Sequence, residues 1–190
     1  MGPTTDTIMK RRQAIAYTAA LIGGTLASTN FLLSGCKPEE RTNGLFTTCD
    51  LLLLDEIGET ILPATPNSPG AKAAQIGAFM ALMVADCYDE KEQAIFTAGL
   101  KEVDKRSKAK YSMGFLQLSS EQRLELLASF DVEAQKTAEN APRHFFSMMK
   151  DLTQTGYFSS EPGVTQALRY NPVPGNYIGC IDYKGEKAWY

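Results

Sequence analysis

The sequence predicts an all-α protein: a small bundle of about five helices followed by a non-helical C-terminal strap rich in Tyr, Pro and Gly. Three observations lead there. Apolar residues recur at i, i+3 and i+4 spacing in successive stretches from residue 47 onward. Helix start and stop residues punctuate those stretches. No stretch shows convincing period-two alternation, and no internal repeat is visible. At 190 residues the chain is long enough for one domain with a real core.

Residues 47–62 place Leu51, Leu54, Ile57 and Ile61 on one stripe, with Thr47 or Thr48 as cap and Asp50, Asp55 and Glu56 towards the front. Pro63 stops that helix, and residues 63–70 form a stiff turn with three prolines. A second helix begins near Gly70 and turns Ile76, Phe79, Met80, Met83, Val84 and Cys87 to one face. Such a Met stripe reads as core. Residues 89–110 form a third helix with Ile95, Phe96, Leu100 and Val103 inward, ending in a solvated basic run from Lys101 to Lys110. Ser119 with Gln122 is a capping box for a fourth helix carrying Leu124, Leu127 and Phe130. A fifth starts near Pro142, buries Phe145, Phe146, Met149 and Leu152, and ends at Gly156 as a C-cap. Ser160 then caps one short turn over residues 161–168.

The stretch 156–180 is nearly uncharged and broken by Pro162, Pro172 and Pro174. Pro removes a backbone donor and Gly raises the entropic cost of ordering, so a long regular helix is excluded. The stretch is too aromatic for a disordered tail. It therefore reads as an ordered strap. Tyr157, Phe158, Tyr170 and Tyr177 either cover the protein's own helices or face a partner, and interfaces are enriched in such rings.

At the other end, Lys10, Arg11 and Arg12 precede an uncharged run from residue 14 to residue 35. A basic segment before such a run reads as an export signal, and the pair Arg11–Arg12 suggests the twin-arginine route. Thr18, Gly23, Gly24, Thr25 and Ser28 make the run weakly apolar, as twin-arginine signals tend to be. The alternative is a permanent membrane helix, since the run is long enough to span a bilayer. Leu33-Ser34-Gly35-Cys36 closes it and resembles the lipobox of bacterial lipoproteins, which places acylation on Cys36. Multiple acyl chains suffice for stable anchoring. The expected organisation is thus 1–35 export signal, 36–45 tether and 46–190 helical domain, on the periplasmic side of a bacterial membrane.

The net charge is −3; without residues 1–35, 16 basic and 21 acidic residues leave −5. That disfavours nucleic acid, which requires a basic face. No catalytic, cofactor-binding or metal-binding constellation stands out. The only histidine, His144, sits beside Phe145 and Phe146 and reads as structural. A zinc site of ordinary composition lacks its second His, and there is no c-type haem or dinucleotide motif. Asp86, Asp89 and Glu90 read as caps and solvated groups. With Cys36 acylated, Cys49, Cys87 and Cys180 remain, and an oxidising compartment favours one pair. Helix geometry permits Cys49–Cys87. Cys87–Cys180 would staple the strap to the core and close a longer loop, worth about 4–5 kcal/mol in the chain-entropy model. The expectation is Cys87–Cys180 with Cys49 as a thiol.

Four groups of residues carry a family resemblance. They are Ile61-Leu62-Pro63-Ala64-Thr65 with Ser68-Pro69-Gly70-Ala71; Phe96-Thr97-Ala98-Gly99-Leu100; Phe145-Phe146 with Lys150-Asp151-Leu152-Thr153; and Gly156-Tyr157-Phe158-Ser159-Ser160. Together they resemble the gluconate 2-dehydrogenase subunit 3 family over most of residues 46–174. After Gly-Tyr-Phe the family's Tyr-Gly-Gly-Asn continuation is replaced by Ser159-Ser160-Glu161-Pro162-Gly163, which resembles a divergent branch. The resemblance implies a small accessory subunit that is not itself the catalyst. It implies a large FAD-dependent oxidoreductase partner acting on a sugar or sugar acid, often with a cytochrome c subunit as electron acceptor. It also gives the twin-arginine signal a reason, because that route exports folded, cofactor-loaded proteins. A stand-alone envelope lipoprotein that binds or scaffolds is the competing reading.

Overall fold

The computed structural model describes residues 44–138, 141–173, 175–176, 179–180 and 182–189, all within the compact unit Glu39–Tyr190. Among them the regular structure is helical: α1 Thr48–Ile61, α2 Ile76–Cys87, α3 Glu90–Tyr111, α4 Ser120–Gln135 and α5 Phe145–Ser159. Short 3-10 turns at Ala71–Ala74 and Phe115–Gln117 and a π turn at Gly163–Ala167 complete it. The all-α reading holds: among these residues there is no strand, and pairing is limited to isolated β-bridges such as Thr65–Ser68 and Arg169–Trp189. None of the described helices is long and apolar enough to cross a membrane.

Capping fixes where the helices begin. Thr47, Asp89 and Ser119 each accept a hydrogen bond from the N3 backbone N–H, and Asp50, Glu92 and Gln122 return the bond to the cap residue. Asp55 on α1 accepts from the Gly77 N–H at 2.7 Å, so one helix caps the next. Gln93 closes the other end of α2, its Nε2 donating to the carbonyls of Val84, Ala85 and Tyr88 at 3.1–3.2 Å. The second helix does not start at Gly70. A 3-10 turn comes first, and Gln75 takes the left-handed conformation (φ 52°) before α2 opens.

α5 packs on all four other helices and is the axis of the bundle. Leu54, Ile57, Ile76, Met80, Val84, Phe96, Val103, Phe130, Met148 and Met149 meet around it, fully or almost fully buried. Two sequence expectations fail here. Leu124 is 59% exposed, and Leu126 takes the inward place on α4. Cys87, the last residue of α2, faces out, while Tyr88 beside it packs against the core.

Between α1 and α4 sits a polar hub. Arg123 donates to the carbonyls of Phe115 and Leu116 at 3.2 and 2.8 Å and to Glu56 Oε2 at 2.6 Å. Lys72 pairs with the other Glu56 oxygen. Burial pushes the Glu56 carboxyl up, but the hydrogen bond from Lys72 and the charge of Arg123 outweigh it and hold its pKa below the ordinary range.

Candidate partner-docking surface

The end of the bundle near the 63–70 turn is built from residues far apart in sequence. Glu59 organises the turn, accepting from the Ala64 and Lys72 N–H groups at 3.0 and 2.9 Å. Gly70 leaves the space its carboxylate occupies. Tyr157 reaches this turn from α5, its hydroxyl 2.7 Å from Ser68 Oγ and donating to the Pro69 carbonyl. The family-like segments therefore meet in pairs. Ser68-Pro69 takes Tyr157 and Gly99 makes room for the Phe145 ring, while Gly156 lies against Ile76 and Phe79 of α2, outside those segments. They are contact pairs of the fold, which is why they carry no information on substrate.

Gly156 is accordingly no C-cap. A side chain there would collide with Ile76 and Phe79, so the glycine serves close helix packing and α5 runs on to Ser159. Tyr157 and Phe158 thus belong to a helix and not to the strap. Tyr157 is 3% exposed and is a strut of the core, so its assignment to a partner interface is corrected. Phe158 stands edge-on to it, 5.1 Å between ring centres, and is partly exposed. Ser160 caps the next turn as expected, its hydroxyl accepting from Gly163 N–H at 3.2 Å.

Beyond that turn the strap carries exposed side chains. Tyr170 is 52% exposed and Val173 78%. Tyr177 lies outside the described residues, as do Arg11, Arg12 and Cys36. Residues 182–189 return to the same end of the bundle, where Arg169 stacks on Trp189 and Lys187 donates to the Asn67 carbonyl at 3.2 Å. Sequence reasoning missed Arg169, Val173 and Trp189. The signal for them was Trp189 itself, the chain's one tryptophan, behind the charged pair Glu186-Lys187.

The cysteines differ from expectation. Cys87 and Cys180 are exposed free thiols, so the Cys87–Cys180 staple is not formed in this structure. Cys49, anticipated as the thiol, is disulfide-bonded. The tail's contacts are with Asn67, Gln166 and Arg169, whereas Cys87 is the last residue of α2. A disulfide requires Cα atoms within roughly 7 Å.

His144 is the N-cap of α5. Its Nδ1 accepts from the Phe146 N–H at 3.2 Å, and the ring lies on Phe145. Burial pushes its pKa down; the Glu133 charge opposes this and the Arg106 charge adds to it. It serves as the cap of this helix.

Neither the curated proteins nor the solved structures yield a match to the chain. A family profile described as gluconate 2-dehydrogenase subunit 3 matches residues 50–175, well over half of the chain. That span runs from the first turn of α1 through α5 to the strap, and it contains the Ser68-Pro69/Tyr157, Gly99/Phe145 and Gly156/Ile76-Phe79 contacts. The chain belongs to the gluconate 2-dehydrogenase subunit 3 family.

Proposed function

We propose that the chain is a non-catalytic accessory subunit of an FAD-dependent sugar or sugar-acid dehydrogenase. It is exported folded by the twin-arginine route and anchored through acylated Cys36 on the periplasmic side of a bacterial membrane. Family membership over residues 50–175 carries this reading. The surface from the last turn of α5 onward supports it, because Phe158, Tyr170 and Val173 leave large apolar groups in solvent. Aromatic groups of this kind give large contact area at low entropic cost. In this reading the flavin belongs to the large subunit and a c-type haem to a third. The present chain supplies the export address, the docking surface and the tie to the membrane.

Affinity purification of the tagged full chain from native membranes tests the reading. The expected result is a flavin-containing dehydrogenase polypeptide recovered in roughly equimolar amount. Recovery of the intact chain with no dehydrogenase subunit overturns it.

A further inference from the structure

Residues 182–189 are exposed throughout, yet they lie back on the domain. Arg169 holds them. Its backbone N–H donates to the Ala188 carbonyl at 2.8 Å, beside a parallel bridge between Arg169 and Trp189. Its guanidinium carbon stands 3.9 Å from the centre of the Trp189 ring, and Nη1 lies 3.6 Å from Glu186 Oε1. Lys187 makes a second attachment, donating to the carbonyls of Asn67 and Gln166. None of these tail side chains is buried, so polar and ring contacts order the tail rather than apolar burial. The family match stops at residue 175. The tail lies beyond the matched span and seats on it.

Its seat adjoins Tyr170. One open groove is lined by Leu168, Arg169 and Tyr170 from the domain and by Glu186 and Lys187 from the tail. A neighbouring groove sets Arg169 against Asp182, Glu186 and Trp189. Arg169 borders both, and without the tail neither has its second wall.

We propose that Arg169 is a positioning residue for docking. By clasping Glu186 and Trp189 it holds the tail against the domain, so that Tyr170 and Trp189 meet the dehydrogenase subunit as one preorganised surface. This rests on the accessory-subunit reading above. A free tail would have to be ordered at the moment of binding, which lowers affinity; a clasped tail is ordered beforehand. Arginine suits the task because its planar guanidinium stacks on an indole and pairs with a carboxylate at once, as an ammonium group does not.

Trp189 is the chain's only tryptophan, so its fluorescence reads the clasp directly in the full chain. Arg169→Ala is expected to raise acrylamide quenching of Trp189 roughly twofold with an unchanged melting midpoint, since the stack and ion pair that it removes are both exposed to solvent. Arg169→Lys, which keeps the charge but loses the flat stack, should fall between. Unchanged quenching in Arg169→Ala overturns the clasp. Docking is read separately, with the dehydrogenase subunit that co-purifies with the wild-type chain, identified by its flavin and peptide masses. Arg169→Ala should raise Kd about three- to tenfold. Trp189→Phe, which keeps a ring for Arg169, should restore most of the affinity that Trp189→Ala loses. If quenching rises and Kd stays constant while Tyr170→Ala weakens binding, the positioning role is overturned and the docking reading stands. If neither Arg169→Ala nor Tyr170→Ala alters Kd, or no dehydrogenase subunit co-purifies, the docking reading falls and the positioning role falls with it.

Discussion

Tyr157 joins two parts of the molecule that are distant in the chain. Its ring is buried at the end of α5, and its hydroxyl ties that helix to Ser68 and Pro69 in the turn after α1. The two contributions separate on substitution. Tyr157→Phe keeps the ring and removes the tie, for an expected loss of about 1 kcal/mol. Tyr157→Ala also removes the ring and should cost about 3–5 kcal/mol, as large buried aromatics do. Denaturant unfolding of the isolated domain measures both; equal, small losses would return Tyr157 to the surface. Gly99 works by the opposite logic, since what matters there is an absent side chain. A methyl group at that position would run into the Phe145 ring, itself packed edge-on to Phe130 at 5.1 Å. Composition marked the segment from Gly156 onward as aromatic and ordered. It could not tell which rings point inward, because that depends on where α5 ends, and a glycine in a helix looks the same whether it closes the helix or lets another approach.

At the scale of elements, the legible boundaries are those enforced by local chemistry. The capping boxes at Ser119 and Asp89 and the stop at Pro63 act within one turn, so the residues name them. The illegible ones depend on distant neighbours. Gln75 takes a left-handed conformation between a 3-10 turn and α2 because both must pack on α1, and nothing in its identity requires that. The start of α5 is also shifted, from the neighbourhood of Pro142 to His144, which uses its imidazole as the cap. That cap titrates. Protonation removes the lone pair that accepts the Phe146 N–H, and burial already favours the neutral ring. A folded-state pKa below the unfolded value means that this stability is fully present above about pH 6.5 and is lost as pH falls through the lowered folded value. Glu133 on α4 opposes the loss and Arg106 on α3 adds to it. The melting midpoint of the wild type should therefore drop more steeply between about pH 7.5 and pH 5 than that of His144→Asn, a cap that does not titrate. Parallel pH profiles for the two proteins would remove His144 from the account.

At the scale of the whole molecule, the proposed role joins an N-terminal address to a folded domain that binds a partner. Twin-arginine export carries folded cargo, so a flavoprotein docked on this chain could cross with it. The test follows from that coupling. Replacing both Arg11 and Arg12 by Lys keeps the positive charge but removes the paired arginines, and should hold the chain and the dehydrogenase subunit together in the cytoplasm. Fractionation with flavin and immunological detection of each subunit reads the outcome. Normal export of the variant chain would exclude the twin-arginine route. Retention of the chain with normal export of the dehydrogenase subunit would mean that each travels alone. Cys36→Ala separates the anchor from the address. It should leave both subunits exported but release them together from membranes, because the acyl chains are the only tie proposed. Peptide mapping of the mature wild type gives the chemical counterpart. Acylation consumes the Cys36 sulfur, so a thioether-linked lipid found there means that Cys36 takes no part in a disulfide. A Cys36–Cys49 peptide would instead place the chain among uncleaved, lipid-free exports and would require another tie to the membrane.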